Sequence, residues 1–223
     1  SHLNNIQTAL AGAILVDPSN LKIVKKHVID NGVAVDLTKK LLDNNIYTEI
    51  YMTEKYFIQK NQKNKITDLH NFTLSFAPIM VNALINEVMK NEIVKILPVT
   101  KTDWERKTVD QIFKKYKDKL MIGWSTHPAI KGYFFGNITS SGISKKQSVL
   151  EIIDIYKIKA EEILGVGDSL TDWDFIGVCG YAGAMGNATP DLKKLVLSKR
   201  KNGYVGKSID ENGILDIFEH FGL

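Results

Sequence analysis

The chain has 223 residues, of which 44% are hydrophobic and 24% are charged, the composition of an ordinary globular protein. Its formal net charge of +4 is spread along the sequence without an arginine-rich stripe, so we do not expect nucleic acid as a partner. No apolar run approaches the ~20 residues of a membrane-spanning helix, so no membrane partner is expected. The single cysteine, Cys179, excludes an internal disulfide and indicates a reducing compartment, for which we predict the cytoplasm.

The first part of the chain predicts a strand and a hairpin. Residues 6–10 and 12–16 are short apolar segments with the length of strands. Residues 17–20 read Asp-Pro-Ser-Asn, which is a turn signal. A further strand is therefore predicted at 21–29.

Helices and strands are mixed in the middle of the chain. Helical spacing of apolar residues occurs at 35–42, 81–89 and 102–118, and Thr102 with Glu105 has the spacing of a capping box. Runs of strand-forming residues predict the strands 46–52, 55–59, 93–98, 120–125 and 133–138. The mixture predicts an α+β module over roughly residues 13–138.

From residue 139 onward, strands and helices alternate at short spacing, which is typical of a parallel α/β sheet. Ser144 is the predicted cap of the first helix, and Pro190 begins a later one in the favoured first-turn position. Asp210 is the predicted cap of the last helix. The predicted strands are 163–166, 181–185 and 204–206, and the predicted helices end near residues 156, 197 and 221.

Two carboxylates follow the apolar strand at 163–166. The strand ends in Gly167-Asp168, and Asp172 lies four residues later in a helix that Thr171 is predicted to cap. Open α/β sheets place their sites at the carboxyl ends of strands, and such oxygen ligands suit Mg²⁺. From spacing alone, a turn with a capping aspartate and solvated acids explains the same residues about as well.

Three segments together resemble the Cof-type branch of the haloacid dehalogenase (HAD) superfamily. Residues 167–172 resemble its fourth motif, Gly-Asp-x-x-x-Asp, and residues 142–145 resemble its third. Residues 182–191 resemble the segment that follows the fourth motif. The segments occur in the family's order and spacing, and the resemblance covers about the whole chain. It implies an α/β fold, with a Rossmann-like core of parallel strands in residues 1–12 and 139–223 and an α+β cap domain in residues 13–138.

The resemblance also implies a Mg²⁺-dependent phosphatase that acts on small phosphorylated metabolites such as sugar phosphates. Lys145 matches the catalytic lysine that binds the phosphate, although Lys146 leaves the choice between neighbours open. Asp168 and Asp172 match the metal-binding acids, with Asp168 as the direct Mg²⁺ ligand. Asn187 matches a residue near the phosphate, and a turn asparagine before Thr-Pro is an equal alternative.

Two family motifs are not found in this sequence. The family's nucleophile is an Asp-x-Asp pair after the first core strand, and the only such spacing here, Asp172 to Asp174, lies inside the fourth motif. The second-motif Ser or Thr is also missing. We therefore expect an N-terminally truncated product, or a fragment of a longer phosphatase, that is inactive and has an exposed sheet edge. Such a chain would either pair with another copy through that edge or depend on its cap domain for stability. The alternative is a non-catalytic module that binds a ligand or partner through the remaining half-site.

Overall fold

A computed structural model describes residues 6–127 and 129–223. The chain divides into two compact units, with the boundary between Ile143 and Ser144. Residues 6–12 belong to the first unit, and the predicted division into a core and a cap stays a prediction.

The first unit begins with a small antiparallel sheet. Its strands are β1 (Gln7–Ala9), β2 (Ile14–Asp17) and β3 (Lys22–Lys26), in that order. The turn between β2 and β3 is held by Asp17, whose carboxylate accepts hydrogen bonds from the backbone N–H of Ser19 and from its hydroxyl. The hairpin predicted from the Asp-Pro-Ser-Asn turn is therefore confirmed.

A six-stranded sheet forms the centre of the first unit. Its spatial order is β6-β5-β4-β7-β9-β8, and only the pair of β5 with β6 is parallel. The strands are β4 (Tyr47–Tyr51), β5 (Tyr56–Gln59), β6 (Ile79–Val81), β7 (Lys95–Thr100), β8 (Leu120–His127) and β9 (Ile130–Ser140). The sequence analysis missed β6, because three residues are too short to show an alternating pattern.

Four α-helices accompany this sheet in the described part of the first unit. They are α1 (Asn31–Asp43), α2 (Lys65–Leu74), α3 (Leu84–Lys90) and α4 (Asp103–Phe113). The predicted capping box at α4 is confirmed, since the Thr102 hydroxyl accepts from the Glu105 N–H and the Glu105 carboxylate accepts from the Thr102 N–H. Within the ranges that the structure covers, no helix is both long and apolar enough to cross a membrane.

The two faces of the large sheet bury different side chains. Ile50 and Ile96 join the core that contains residues of α1 and α3. On the opposite face, Tyr47 and Tyr51 join a second core with residues of β2 and β5. Successive residues of a strand point to opposite faces, so Glu49, between the two tyrosines, shares their face.

Glu49 is fully buried, and its carboxylate is hydrogen-bonded at both oxygens. The hydroxyl of Tyr51 donates to Oε2 at 2.6 Å, and the hydroxyl of Tyr47 donates to Oε1 at 3.1 Å. His70 of α2 also donates to Oε1, through Nδ1 at 2.9 Å. Burial, followed by the Glu49 charge, raises the pKa of both tyrosines, which therefore keep the protons they donate.

The second unit contains a three-stranded parallel sheet with helices between its strands. The strands are β10 (Leu164–Gly167), β11 (Tyr181–Ala184) and β12 (Gly203–Val205), in that spatial order. The helices are α5 (Lys145–Tyr156), α6 (Trp173–Ile176), α7 (Pro190–Ser198) and α8 (Gly213–Phe221). In the described residues β10 pairs only with β11, and pairing of its other edge with another copy stays a prediction.

Two predicted helix caps are wrong. The turn after β10 is a 3₁₀ segment capped by Ser169, whose hydroxyl donates to Asp172, and Thr171 lies inside that segment. Ser208, not Asp210, likewise caps the 3₁₀ turn before α8. In both places the cap is a serine that forms a capping box with an acid three residues later. The two hydrogen bonds of the capping box favour the serine as cap over a residue inside the turn. The predicted Ser144 cap is confirmed, since its hydroxyl accepts from the Gln147 N–H at 3.1 Å.

The Glu49→Ala variant should unfold more easily. The substitution leaves the buried Tyr51 hydroxyl and His70 without their acceptor, while the Tyr47 hydroxyl keeps its bond to Thr67. We expect the free energy of unfolding to fall by roughly 3 kcal/mol. Urea denaturation would measure it, with Glu54→Ala, at an exposed glutamate after β4, as the matched control. Equal effects in the two variants would contradict a structural role for the Glu49 carboxylate.

Candidate active site

The candidate site lies at the carboxyl ends of β10 and β11, where the loops that follow the two strands are joined. Asp168 follows β10 directly, and its carbonyl accepts from the backbone N–H of Thr189 at 2.9 Å. The carbonyl of Gly167 accepts from the N–H of Met185 at 3.0 Å. Because the strands are parallel, the segments after them emerge at one edge of the sheet, and these two bonds fix their relative position.

Asp172 is the most restrained side chain of the site, and it is 4% exposed. Its Oδ2 accepts from the backbone N–H groups of Asp168 and Ser169, each at 3.0 Å, and from the Ser169 hydroxyl at 3.1 Å. Its Oδ1 pairs with the ammonium of Lys145. Both carboxylate oxygens are therefore engaged inside the unit.

These contacts set the charge state of Asp172. Burial by itself raises the pKa of the carboxyl, but the hydrogen bond from Lys145 and those from the Ser169 and Asp168 backbones outweigh it, and the pKa falls to about 2. A carboxylate that accepts several N–H bonds is stabilised in its charged form. Asp172 is thus ionised at neutral pH.

Gly167 makes room for this arrangement. A Cβ atom at Gly167 would lie 2.5 Å from the Cβ of Asp172 and 2.7 Å from its Oδ2. Any other residue at this position would push the carboxylate away from the N–H groups it accepts from. The glycine of the Gly-Asp-x-x-x-Asp segment is therefore required by close packing at the end of β10.

Lys145 is the first residue of α5, and its side chain remains 65% exposed although its ammonium is paired with Asp172. The ammonium also lies 5.9 Å from the centre of the Phe175 ring, within the range of a cation–π contact. An ammonium has three donors, so one contact to Asp172 leaves others for a ligand. Lys146 is exposed and has no such partner among the described residues.

Asp168 has the opposite environment to Asp172. It is exposed, and in the described ranges its carboxylate takes part in no hydrogen bond or ion pair. A free carboxylate at the carboxyl end of a strand fits Mg²⁺, which keeps several waters and takes one or two protein carboxylates. The described residues contain no group of three or more His, Cys, Asp or Glu side chains placed to hold a metal.

Asn187 lies in the loop after β11 and is exposed. Its Oδ1 accepts from the backbone N–H of Ile209 at 3.0 Å, which ties this loop to the segment after β12. The same loop reaches the Asp168 carbonyl through Thr189. The structure therefore brings Asn187 to the same edge of the sheet as Asp168, and its amide N–H₂ group has no partner in the part of the chain that the structure describes.

Ser169 is the residue that the sequence analysis missed. Its N–H and hydroxyl both donate to Asp172. The spacing Ser-x-x-Asp from 169 to 172 is a capping-box signal that was available in the sequence. It was overlooked because Thr171 stands directly before the acid.

Comparison with known proteins decides the family. A family profile described as haloacid dehalogenase-like hydrolase matches residues 2–218. The chain belongs to this family. The resemblance inferred from the motifs at 142–145 and 167–172 is therefore confirmed.

The most similar relatives of this HAD-like chain include two bacterial proteins named as phosphatases. A putative phosphatase of Buchnera aphidicola subsp. Schizaphis graminum is 26% identical over 209 residues, which are 91% of this chain and 73% of that protein. Phosphatase YwpJ of Bacillus subtilis is 24% identical over 225 residues, which are 94% of this chain and 76% of the relative. Among solved structures, the HAD subclass IIB sugar phosphatase BT4131 superposes with a TM-score of 0.72 at 22% identity, covering 98% of this chain and 76% of its own. The last likeness shows the shared fold.

The Gly167→Ala variant should disturb the site locally. The added methyl group meets the Asp172 side chain at distances that atoms do not tolerate, so we expect a loss of about 2 kcal/mol in the free energy of unfolding. Chemical denaturation measures it. Gly123→Ala is the control, because no atom lies within 4 Å of a Cβ at that glycine of β8. A variant at 167 as stable as the control would contradict the packing argument.

The Asp172 carboxylate should also make stability depend on acid pH. Its pKa of about 2 lies below the ordinary value of 3.8, so its contribution is complete above about pH 4 and is lost as the pH falls towards 2. Urea unfolding across this range should show the stability difference between the wild type and Asp172→Asn shrinking with acid. In Lys145→Met, which lacks the strongest stabilising hydrogen bond, the pKa of Asp172 is lowered less, so the loss should be smaller and should be complete at a higher pH. Parallel curves for wild type and Asp172→Asn would refute this.

Proposed function

We propose that this chain carries the lysine and metal half of a Mg²⁺-dependent phosphatase site that acts on small phosphorylated metabolites, sugar phosphates among them. The observation that supports this most directly is the ion pair of Lys145 with Asp172 beside the free carboxylate of Asp168. A cation next to exposed carboxylate oxygens, at the carboxyl end of a parallel strand, can hold a phosphate and a metal together. The names of the two phosphatase relatives agree with it.

Lys145 is the phosphate-binding residue in this proposal. Its ammonium is held at the site by Asp172 and is still largely exposed, so it can neutralise a phosphate oxygen as a point charge. Asn187 is a second donor, through its free amide N–H₂ group. Asp172 acts as a positioning residue, because both its oxygens are already used by Lys145 and the loop at 168–169.

Asp168 would hold the Mg²⁺ ion. When bound, the ion supplies positive charge that stabilises the phosphoryl oxygens. The loop supports this role, since the Asp168 N–H donates to Asp172 and its carbonyl accepts from Thr189, which leaves only the side chain free. Asp172 as a second metal ligand stays a prediction, and it would need to give up existing hydrogen bonds.

The proposal includes the expectation that these 223 residues do not turn over substrate by themselves. They contain no Asp-x-Asp pair after an apolar strand, and transfer through an aspartyl phosphate needs a carboxylate nucleophile. The chain then binds phosphate in a metal-dependent manner without hydrolysing an ester.

Phosphate binding in the presence and absence of Mg²⁺ tests the proposal. NMR titration with inorganic phosphate should perturb residues 145, 168 and 187 more strongly with Mg²⁺ than with EDTA. Asp168→Asn should abolish the Mg²⁺ effect, and Lys145→Met should weaken phosphate binding about tenfold. Lys146→Met, the neighbouring exposed lysine, is the matched control and should bind as the wild type does.

Hydrolysis of p-nitrophenyl phosphate completes the test. We expect no turnover above that of Asp168→Asn. Metal-dependent turnover that Asp168→Asn abolishes would establish a phosphatase and refute the expected inactivity. Phosphate binding that is indifferent to Mg²⁺ and to Lys145→Met would overturn the proposed site.

A further inference from the structure

A polar cavity in the first unit lies between the end of α1, the start of β4 and the loop that follows β5. Its volume is about 290 Å³, close to the lower end of the ~300–1,000 Å³ range of small-molecule sites. Its walls are formed by Leu42, Asn45, Tyr47, Gln59, Asn61, Gln62, Lys63 and Asn64. The size favours a ligand no larger than a monosaccharide with one attached group.

The lining is unusual in its chemistry, because it contains five carboxamides and one lysine but no carboxylate. The loop itself carries Lys60, Lys63 and Lys65, and no acidic residue occurs between Glu54 and Asp68. The lining itself carries one positive charge, that of Lys63, and Asp43, between the lining residues Leu42 and Asn45, is already paired with Lys39. Such a site favours a ligand that carries negative charge and many oxygen acceptors.

Several amides of the cavity are fixed by bonds to the protein. Gln62 donates to the Ile46 carbonyl at 2.8 Å and accepts from the Thr48 N–H at 3.3 Å. Gln59 accepts from the Leu84 N–H at 3.2 Å, and its own amide donates to Asn61 Oδ1 at 3.0 Å. These bonds hold the loop in place before any ligand arrives, which lowers the entropic cost of binding.

The groups that remain unused are mostly donors. Asn61 and Asn64 use their amide oxygens, Asn64 by accepting from the Ile66 N–H at 2.8 Å, and their N–H₂ groups have no partner among the described residues. The Asn45 side chain and the Lys63 ammonium are also free within the described ranges. Free N–H groups with few free acceptors match the oxygens of sugar hydroxyls and of an anionic group.

We propose that this cavity binds an anionic sugar, with Asn45, Asn61 and Asn64 contacting the sugar oxygens and Lys63 contacting the charged group. Another cavity of the same unit lacks this character, because it is lined by Glu54 and Glu92 as well as by Lys26 and Lys55, and Lys26 is already paired with Glu92. The inference does not depend on the proposed phosphatase function, since the cavity is built from residues 42–64 alone and its test measures binding.

Side-chain amide resonances of Asn45, Asn61 and Asn64 report on this cavity directly. Titration of the full chain with glucose 6-phosphate should shift them saturably, and gluconate, whose charge is a carboxylate, should do the same. Glucose has the sugar oxygens without the charge, and inorganic phosphate has the charge without the sugar. Each should bind at least about tenfold more weakly than the anionic sugars. Absence of saturable shifts with either anionic sugar would overturn the proposal.

Two variants and a matched control make the test specific. Asn61→Asp keeps the oxygen that accepts from Gln59 but replaces the free N–H₂ group with an acceptor, so binding should weaken about tenfold or more. Lys63→Met should weaken it to a similar extent. Lys60→Met removes the same charge from the same loop outside the cavity and should change the affinity by less than about twofold. Equal losses in Lys60→Met and Lys63→Met would mean unspecific attraction to the loop and would refute the site. Failure of the Asp168 tests would leave these outcomes unchanged.

Discussion

The buried carboxylate of Asp172 is the constraint on which the candidate site depends. Its two oxygens hold two different parts of the second unit, the loop after β10 through Oδ2 and the first residue of α5 through Oδ1. Gly167 has no Cβ, and only for that reason can the carboxylate lie against the end of the strand. Lys145 and the loop that carries Asp168 are both held by this one buried side chain.

The two acids of the Gly-Asp-x-x-x-Asp segment therefore have different tasks. Asp172 is buried and fully hydrogen-bonded, while Asp168 is exposed with free oxygens. Burial with several N–H donors fixes the charge of the first, and exposure keeps the second available for an ion. The two identical residues of this motif thus differ in burial and in the hydrogen bonds that their carboxylates make.

The first unit also contains a buried carboxylate held by several hydrogen-bond donors, but there it joins a helix to a sheet. Glu49 is as buried as Asp172, but its donors are side chains from β4 and α2, and it ties a helix to one face of the large sheet. The loop at 59–64 differs again, because its amides are anchored on one side and leave donors free on the other. A buried carboxylate that is hydrogen-bonded at both oxygens stabilises the fold. Side-chain amides that are fixed by some hydrogen bonds and keep unused donors instead offer a binding surface.

The sequence by itself determined the family, the α/β class and the residues at the end of β10. An apolar run ending in Gly-Asp, with an acid four residues on, and a serine at the start of a helix are local patterns, so the end of β10 and the Ser144 cap could be predicted from them. Lys145 was selected only by the resemblance to the family. Only the tertiary structure decided which acid is free, because burial and partners such as Lys145, 27 residues from Asp172, are not local properties. Strand β6 and the cavity beside Asn61 were not predicted from the sequence either. Three residues carry too little periodicity to predict a strand, and a cavity arises only where α1, β4 and a loop meet in space.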